Sequence, residues 1–181
     1  MKRKITGLTL ALSLSCTLVS LSSADETAAV GLRIGFSHEE VNGEAFQQYE
    51  VSAEYPLPWA WQWSGGWQLN TRLEGTAGAL QGDGKMGFIG SLGPSLVVST
   101  ENSPWRLSLG FSPTVLSKST FDAADLGGNI QFISHIGIRY QLSRTLEIGY
   151  RFQHMSNAHI EKPNPGLDMH VLQLNYRFNP S

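Results

Sequence analysis

The sequence predicts an all-β protein, an eight-stranded antiparallel outer-membrane β-barrel. Three observations lead to this fold class. Apolar and polar residues alternate with a period of two through eight segments, which is typical of strands with one apolar and one polar face. An export signal precedes these segments. The connections between them alternate between short and long, as in barrels with short periplasmic turns and longer external loops.

The amino terminus has the pattern of a secretory signal peptide. Residues 2–4 are basic, residues 5–21 are apolar or small, and residues 22–24 form a small-residue cleavage site. We therefore expect residues 1–24 to be a signal peptide that is removed after export to the periplasm. Residues 25–181 are then predicted to form a single outer-membrane β-barrel domain.

Composition excludes several classes of function. Without residues 1–24, 10 basic residues remain against 15 acidic ones, so the formal charge changes from −2 to −5. A net negative domain argues against binding to nucleic acid, which needs a basic face. Because Cys16 is the only cysteine and lies in the signal peptide, the mature chain is predicted to have no disulfide and no thiol chemistry.

The strands are predicted in order from the alternation. In the third segment, for example, Trp67 and Leu69 share one face, and Gln68 and Asn70 share the other. Prolines and glycines interrupt the fourth and fifth segments, where we expect local bulges or strand ends. The eight predicted segments are 29–38, 44–55, 61–75, 86–99, 104–116, 129–142, 145–156 and 168–178.

The alternation alone does not say whether the apolar face points into the barrel or out toward lipid. Mixed charges on the polar face favour a lumen in which they can pair. Short connections are predicted at 56–60, 100–103 and 143–144, and longer ones at 76–85, 117–128 and 157–167. Aromatic residues next to the short connections predict an interfacial girdle: Tyr55, Trp59, Trp61, Trp63, Trp105, Tyr140 and Tyr176. Together these features favour an outer-membrane barrel, with a secreted soluble barrel as the alternative.

The direction of the side chains then locates three reactive residues. Counting by twos from the lipid-facing Phe152 puts His154 and Ser156 on the outer face, and counting back from Leu172 puts Asp168 there too. With both termini periplasmic, this end of the barrel is the external rim. Polar groups cost little at that depth, so their presence there does not by itself indicate catalysis. A base, a nucleophile and an acid on one outward face do favour it.

The run from His154 to Asp168 resembles the signature of the lipid A 3-O-deacylase (PagL) family. The resemblance rests on His-Met-Ser-Asn-Ala at residues 154–158 and on Lys-Pro-Asn-Pro-Gly at residues 162–166. It implies an outer-membrane esterase that removes the 3-O-linked hydroxyacyl chain of lipid A, without a metal or another cofactor. The implied partner is lipopolysaccharide in the outer leaflet, and a homodimer is compatible with it.

The resemblance also implies roles for individual residues. His154 would be the base, Ser156 the nucleophile and Asp168 the orienting acid, with Asn157 or Asn164 donating to the oxyanion. The family pattern usually has Glu at the acid position, and Asp is shorter by about 1.5 Å. If Asp168 did not reach the histidine, Glu161 would be the substitute.

Two departures and several neighbouring residues complete the expectations. His159 stands where the family often has Gly, which weakens an oxyanion role for that backbone. Phe152 and Ile160 are placed beside the site, as part of an acyl-binding wall or as ordinary lipid-facing surface. Three further histidines have other expected positions: His135 in the polar network of the lumen, His38 in a solvated loop, and His170 near the site, with an interfacial role favoured over assistance in catalysis.

Two other functions stay open on the sequence alone. A small barrel without catalytic activity, acting as an envelope stabiliser or surface-binding protein, would have the same strands. An outer-membrane phospholipase would also need polar groups at the rim.

Overall fold

The computed structural model describes residues 27–178, so the predicted signal peptide lies outside the described residues. The chain forms a closed antiparallel barrel of eight strands, and strand β1 closes it by pairing with β10. Two very short strands, β6 and β7, form a separate hairpin in the connection between β5 and β8. The strands are β1 (Ala29–Ser37), β2 (Phe46–Gln62), β3 (Trp67–Gly82), β4 (Lys85–Thr100), β5 (Trp105–Leu116), β6 (Thr120–Phe121), β7 (Ala124–Asp125), β8 (Ile130–Gln141), β9 (Leu146–Ser156) and β10 (Leu167–Arg177).

The apolar face of the strands points outward, as the outer-membrane interpretation predicts. Leu32, Leu92 and Leu172 are each more than half exposed, although each lies within a long strand of the barrel wall. Such a belt of exposed aliphatic side chains suits a lipid environment. Exposed aromatic residues lie at the end of the barrel that carries the termini, among them Tyr55, Trp59, Trp63, Trp67, Trp105 and Tyr176. No helix among residues 27–178 is long and apolar enough to cross a membrane.

Two connections differ from the prediction. Strand β2 continues through the predicted turn at 56–60, where the pairing with β3 is irregular between Pro56 and Ala60. The reversal lies instead at residues 63–66, where Gly65 and Gly66 have φ of 88° and 76°. The prolines at 56 and 58 thus lie within a strand irregularity and do not end the strand. The turn forms instead at the two glycines, because it needs residues that accept a positive φ.

The predicted external loop at 76–85 is wrong as well. Strand β3 extends to Gly82, and a two-residue turn of Asp83 and Gly84 leads directly into β4. Both residues have positive φ, 44° and 69°, which is the geometry of a tight β-hairpin. Connections at 38–45, 117–129 and 157–166 are longer, and all three lie at the same external end of the barrel.

The part of the lumen nearer the chain termini, which we call the lower lumen, contains a network of buried charges. Arg139 donates to Glu54 at 2.8 Å, and Arg151 donates to Glu74 at 2.7 Å. Arg33 also donates to Glu74, at 3.1 Å. His135 lies in this network, as predicted, with its Nδ1 3.3 Å from Arg151. The charges therefore compensate one another inside the barrel.

The upper lumen, toward the external end, contains a large apolar cluster, which the sequence did not predict. Inward-facing side chains near the external end form a packed cluster together with the loop strands: Phe46, Leu80, Ile89, Leu116, Phe121, Ala124, Leu126, Ile133, Met155, Leu167, Met169 and Val171. The cluster includes Met155, Leu167 and Met169, which are at most 2% exposed and alternate with His154 and Asp168 along β9 and β10. The outward-facing polar residues are thus held by strands whose inner face is densely packed.

Candidate active site

His154 and Asp168 form a direct contact on the outer face of the barrel. The two residues are opposite each other in the pairing of β9 with β10. The Nδ1 atom of His154 lies 2.6 Å from Oδ1 of Asp168, and their side chains are 49% and 43% exposed. Asp168 thus reaches the ring despite its length, because direct opposition already brings the two Cβ atoms to about 5 Å.

The contact determines the protonation pattern of the neutral ring. An ionised carboxylate can only accept a hydrogen bond, so Nδ1 of His154 carries the hydrogen. The other ring nitrogen, Nε2, then has a free lone pair. Glu161, the substitute acid considered above, instead lies with its carboxylate beside Gly128 in the neighbouring loop.

Ser156 lies two residues beyond His154 on the same face of β9 and is half-buried. It is opposite Phe132 of β8. Within residues 27–178, its hydroxyl makes no hydrogen bond with the His154 ring. Residues two apart on one face are separated by roughly 6.5–7 Å at the backbone, so rotation of the serine side chain is needed for contact. In enzymes without substrate, such hydrogen bonds are often long.

The loop after Ser156 is organised by Asn157, which is fully buried. Its Nδ2 atom lies 2.5 Å from the carbonyl oxygen of Gly127, 2.9 Å from that of Glu161 and 3.2 Å from that of Pro163. Its Oδ1 atom accepts from the backbone N–H of His159. An oxyanion role for the Asn157 amide would require it to break these bonds, because both hydrogens of Nδ2 are already engaged.

Asn164 has more freedom to contact a substrate. Its Oδ1 accepts from the backbone N–H of Asn157 at 3.1 Å, next to Ser156. Within residues 27–178, its Nδ2 has only a long contact of 3.4 Å, with Nδ1 of His159. The side chain is half-buried, and this amide is therefore the better placed of the two predicted oxyanion donors.

Two backbone positions near the site are unusual. Ala158 and His159 have φ of 52° and 63°, in the left-handed region that disfavours residues with a Cβ. Gly166 has φ of 73°, and a Cβ placed there would lie 2.9 Å from Cε1 of His154. The glycine thus lets the loop backbone pack directly against the catalytic candidate ring, a contact that the sequence analysis missed.

His38 lies at the start of the connection 38–45 and is exposed, as predicted, but its ring has contacts that the sequence did not indicate. Its Nδ1 lies 2.8 Å from Nε2 of His170, and Nδ1 of His170 lies 2.6 Å from the hydroxyl of Tyr150. Both imidazole rings also contact Phe152 edge-on. We call His38, Tyr150, Phe152 and His170 the aromatic ridge. Counting by twos beyond Phe36 in β1 would have indicated the outward position of His38.

Comparison with known proteins identifies relatives of this chain. The family model described as lipid A 3-O-deacylase (PagL) matches residues 47–177. The chain is 32% identical over 172 residues to a lipid A deacylase PagL of Bordetella bronchiseptica, covering 89% of this chain and 93% of that protein.

Solved structures share the fold. The crystal structure of the outer membrane enzyme PagL aligns with a TM-score of 0.70 at 18% identity, covering 83% of this chain and 99% of the other. The N-terminal β-barrel domain of OprF from Pseudomonas aeruginosa aligns with a TM-score of 0.52 at 15% identity, covering 83% and 97%. The barrel architecture is thus that of outer-membrane proteins, and the extended sequence match is more specific: this chain belongs to the lipid A 3-O-deacylase (PagL) family.

Proposed function

We propose that this protein is an outer-membrane esterase that removes the 3-O-linked hydroxyacyl chain of lipid A, with Ser156 as nucleophile, His154 as base and Asp168 as orienting acid. Family membership supports the reaction, and the 2.6 Å contact between His154 and Asp168 carries the assignment of the residues. All three belong to one chain, so the chemistry does not depend on the association of two copies.

The reaction follows serine esterase chemistry. Nε2 of His154 takes the proton of the Ser156 hydroxyl while the oxygen attacks the ester carbonyl carbon. Asp168 stabilises the imidazolium that forms. The protonated ring then gives the proton to the sugar oxygen, which leaves as the free 3-hydroxyl, and the acyl group stays on Ser156. A water molecule, deprotonated by His154, releases the fatty acid and restores the serine.

Negative charge on the carbonyl oxygen needs a donor, and Asn164 fills this role. Its Nδ2 has no short hydrogen bond to give up, and its Oδ1 is anchored to the backbone beside Ser156. One such donor typically contributes about 2.7–4 kcal/mol to transition-state stabilisation.

The outward position of the site suits a substrate dissolved in the outer leaflet. An ester at the level of the rim meets Ser156 while the acyl chains lie against the apolar wall. A soluble ester would gain nothing from this wall, so the proposal favours a lipid substrate over a water-soluble one.

The test is the Ser156→Ala variant expressed in cells whose lipid A carries a 3-linked chain. Mass spectrometry of the lipid A should show loss of one hydroxyacyl chain with the wild type and no loss with the variant. Ser64→Ala, in an exposed turn at the opposite end of the barrel, is the matched control and should keep full activity. Unaltered lipid A with the folded wild-type protein would contradict the proposal.

Purified protein offered phospholipid vesicles, with and without calcium, separates this reaction from the alternative phospholipase. Calcium-dependent release of fatty acid from phospholipid would overturn the assignment.

A further inference from the structure

Three carboxylates converge at the external end of the barrel from three separate turns. Glu44 lies in the connection between β1 and β2, Asp83 in the turn between β3 and β4, and Asp122 in the turn between β6 and β7. One carboxylate oxygen of each residue lies within 4.8 Å of the other two. We call these three residues the acidic turn cluster. Acidic groups often gather on protein surfaces, so their proximity alone does not indicate a binding site.

The second observation is a buried oxygen atom of Glu44. This residue is only 8% exposed. Its Oε1 atom accepts hydrogen bonds from the backbone N–H groups of Ala123 and Ala124, at 2.5 Å and 3.2 Å. Its Oε2 atom is buried too, but it has no hydrogen-bond partner within residues 27–178. A buried carboxylate oxygen without a partner is costly, and a cation between the three carboxylates would be that partner.

The charge of the cluster is compensated only in part by a lysine. Lys85 donates to Asp122 at 2.7 Å, and both side chains are well exposed, so water screens this ion pair. The three carboxylates (−3) and this ammonium group (+1) together carry a charge of −2. One divalent cation would balance that charge.

The backbone holds the three carboxylates in place. Val41 and Glu44 exchange two backbone hydrogen bonds, at 2.9 Å and 3.1 Å, which close the turn before Glu44. Strands β3 and β4 pair directly on both sides of the turn that contains Asp83. Strands β6 and β7 do the same around Asp122. Because each turn is already ordered, little conformational entropy would be lost when the carboxylates bind an ion.

We propose that the acidic turn cluster binds a calcium ion, which ties together three external connections of the barrel. The ion takes no part in ester cleavage, and the inference does not rest on the proposed function. Carboxylate oxygens are the ligands that Ca²⁺ prefers, at about 2.3–2.6 Å, so two ligands of one ion lie at most roughly 5 Å apart. Mg²⁺ needs shorter distances of about 2.0–2.1 Å in a strict octahedron. Oxygens spread over up to 4.8 Å therefore suit Ca²⁺ better.

The three turns lie directly above the apolar cluster of the upper lumen. Phe46, two residues after Glu44, and Phe121, directly before Asp122, are both buried. Their rings meet edge-on with centroids 5.3 Å apart. An ion held by the turns would keep these two aromatic residues in contact. Binding should thus stabilise the folded barrel, because a ligand that binds only the folded state raises the free energy of unfolding.

The experiment uses the purified full-length barrel in non-ionic detergent, freed of lipopolysaccharide so that no lipid phosphate contributes a cation site. After treatment with a chelator, the protein is titrated with calcium chloride by calorimetry. We expect one Ca²⁺ per chain with a dissociation constant of about 10⁻⁴–10⁻³ M, as in other extracellular sites, and weaker binding of Mg²⁺. At a free concentration about 100 times the dissociation constant, Ca²⁺ should raise the melting temperature by about 5–10 °C.

Four variants test the ligands. Asp83→Asn and Glu44→Gln should weaken Ca²⁺ binding by at least about 10-fold, since affinity depends on the number of charged ligands. Asp83 is exposed, so its substitution should leave folding intact. Lys85→Gln removes the competing ammonium group and should tighten binding. Glu40→Gln is the matched control, because Glu40 is an exposed acid of the same connection as Glu44 but lies outside the cluster. It should bind Ca²⁺ like the wild type.

Two results would overturn the proposal. One is a folded wild type that binds no Ca²⁺ at about tenfold above the expected dissociation constant. The other is an equal effect of Asp83→Asn and Glu40→Gln, which would show a general attraction of cations to the acidic loops. None of these measurements uses esterase activity, so failure of this proposal leaves the proposed function untouched, and the reverse holds as well.

Discussion

At the scale of the residue, sheet register compensates for side-chain length in the contact between His154 and Asp168. The shorter acid reaches the imidazole because β10 holds it directly opposite the histidine. Met155, Leu167 and Met169 anchor the same two strands from inside. The pair is therefore already aligned in the free protein, which would leave little conformational entropy to be lost in the proposed reaction.

The first prediction concerns the charge of Asp168. Asp168→Asn keeps the size of the side chain but removes the negative charge that stabilises the imidazolium, and its amide can donate to Nδ1 and so favour the wrong tautomer of His154. We expect kcat on lipid A to fall by roughly 10²–10⁴-fold, with little change in KM. The measurement is deacylation by purified protein at saturating substrate.

Asp168→Glu restores the charge and serves as the control for this variant. It should recover much of the lost activity, since the longer side chain can adopt another rotamer. Equal activity of Asp168→Asn and the wild type would exclude Asp168 from the mechanism.

The second prediction concerns Gly166. A methyl group added at this position would lie 2.9 Å from Cε1 of His154, so the ring or the loop must shift. We expect Gly166→Ala to lower kcat by at least about 10-fold, because small displacements of a base are costly in rate. Gly84→Ala is the matched control, because Gly84 has a similar φ of 69° and its added Cβ would meet no atom within 4 Å.

Both variants carry a strain of about 1–2 kcal/mol from the left-handed backbone, and their stabilities should fall alike. Only Gly166→Ala should lose activity. If the two variants lose activity equally, the contact with His154 has no separate role.

At the scale of the element, the loop at 157–166 is tied to the neighbouring loop at 117–129 through one buried amide. Asn157 contacts carbonyl oxygens in both loops, and its own backbone N–H is bonded to Asn164. Two left-handed residues follow it directly. The amide bonds thus hold a strained loop in the conformation that keeps Asn164 beside Ser156.

The Asn157→Ala substitution should therefore lower the local stability of this loop by more than the loss of a single hydrogen bond would, because the side chain makes several. We expect a loss of about 1–3 kcal/mol of local stability, seen as faster hydrogen exchange in residues 157–166 and reduced kcat. Asn129→Ala is the control, because Asn129 lies in the adjacent loop and its Nδ2 donates one hydrogen bond to the carbonyl oxygen of Leu116 at the end of β5. A similar exchange pattern in both variants would argue against the special role of Asn157.

At the scale of the whole molecule, the interior has a charged lower part and an apolar upper part. In the lower lumen, the positive charges of buried arginines are compensated by the negative charges of buried glutamates. Glu74, for example, accepts hydrogen bonds from Arg33 and Arg151. The upper cluster closes the barrel beneath the external loops. The proposed catalytic residues lie on the outside, so we expect the interior to serve stability and the outer wall to serve catalysis.

Glu74→Gln tests this division. The substitution removes the carboxylate that Arg151 contacts and one of the two that Arg33 contacts, and breaking a buried pair costs about 3–5 kcal/mol. We expect unfolding at a lower temperature, measured by the heat-dependent migration of the barrel on gels, with unchanged kcat at temperatures where it is folded. Glu101→Gln, in an exposed turn, should affect neither quantity. A selective loss of kcat in Glu74→Gln would link the lumen to catalysis.

Much of this protein follows from the sequence alone, because a strand has a side-chain period of two. That period gave the number of barrel strands, the outward face of His154, Ser156 and Asp168, and the inward position of His135. The turn at 63–66 and the hairpin at 83–84 were missed, since proline and small residues resemble loops whether or not the backbone continues as a strand.

Tertiary structure decided what depends on neighbours from distant parts of the chain. Whether Asp168 reaches His154 depends on the register of β9 against β10, and the occupation of the Asn157 amide depends on a loop thirty residues away. Periodicity along a chain determines which face a side chain takes, but contacts across the sheet determine what it meets there.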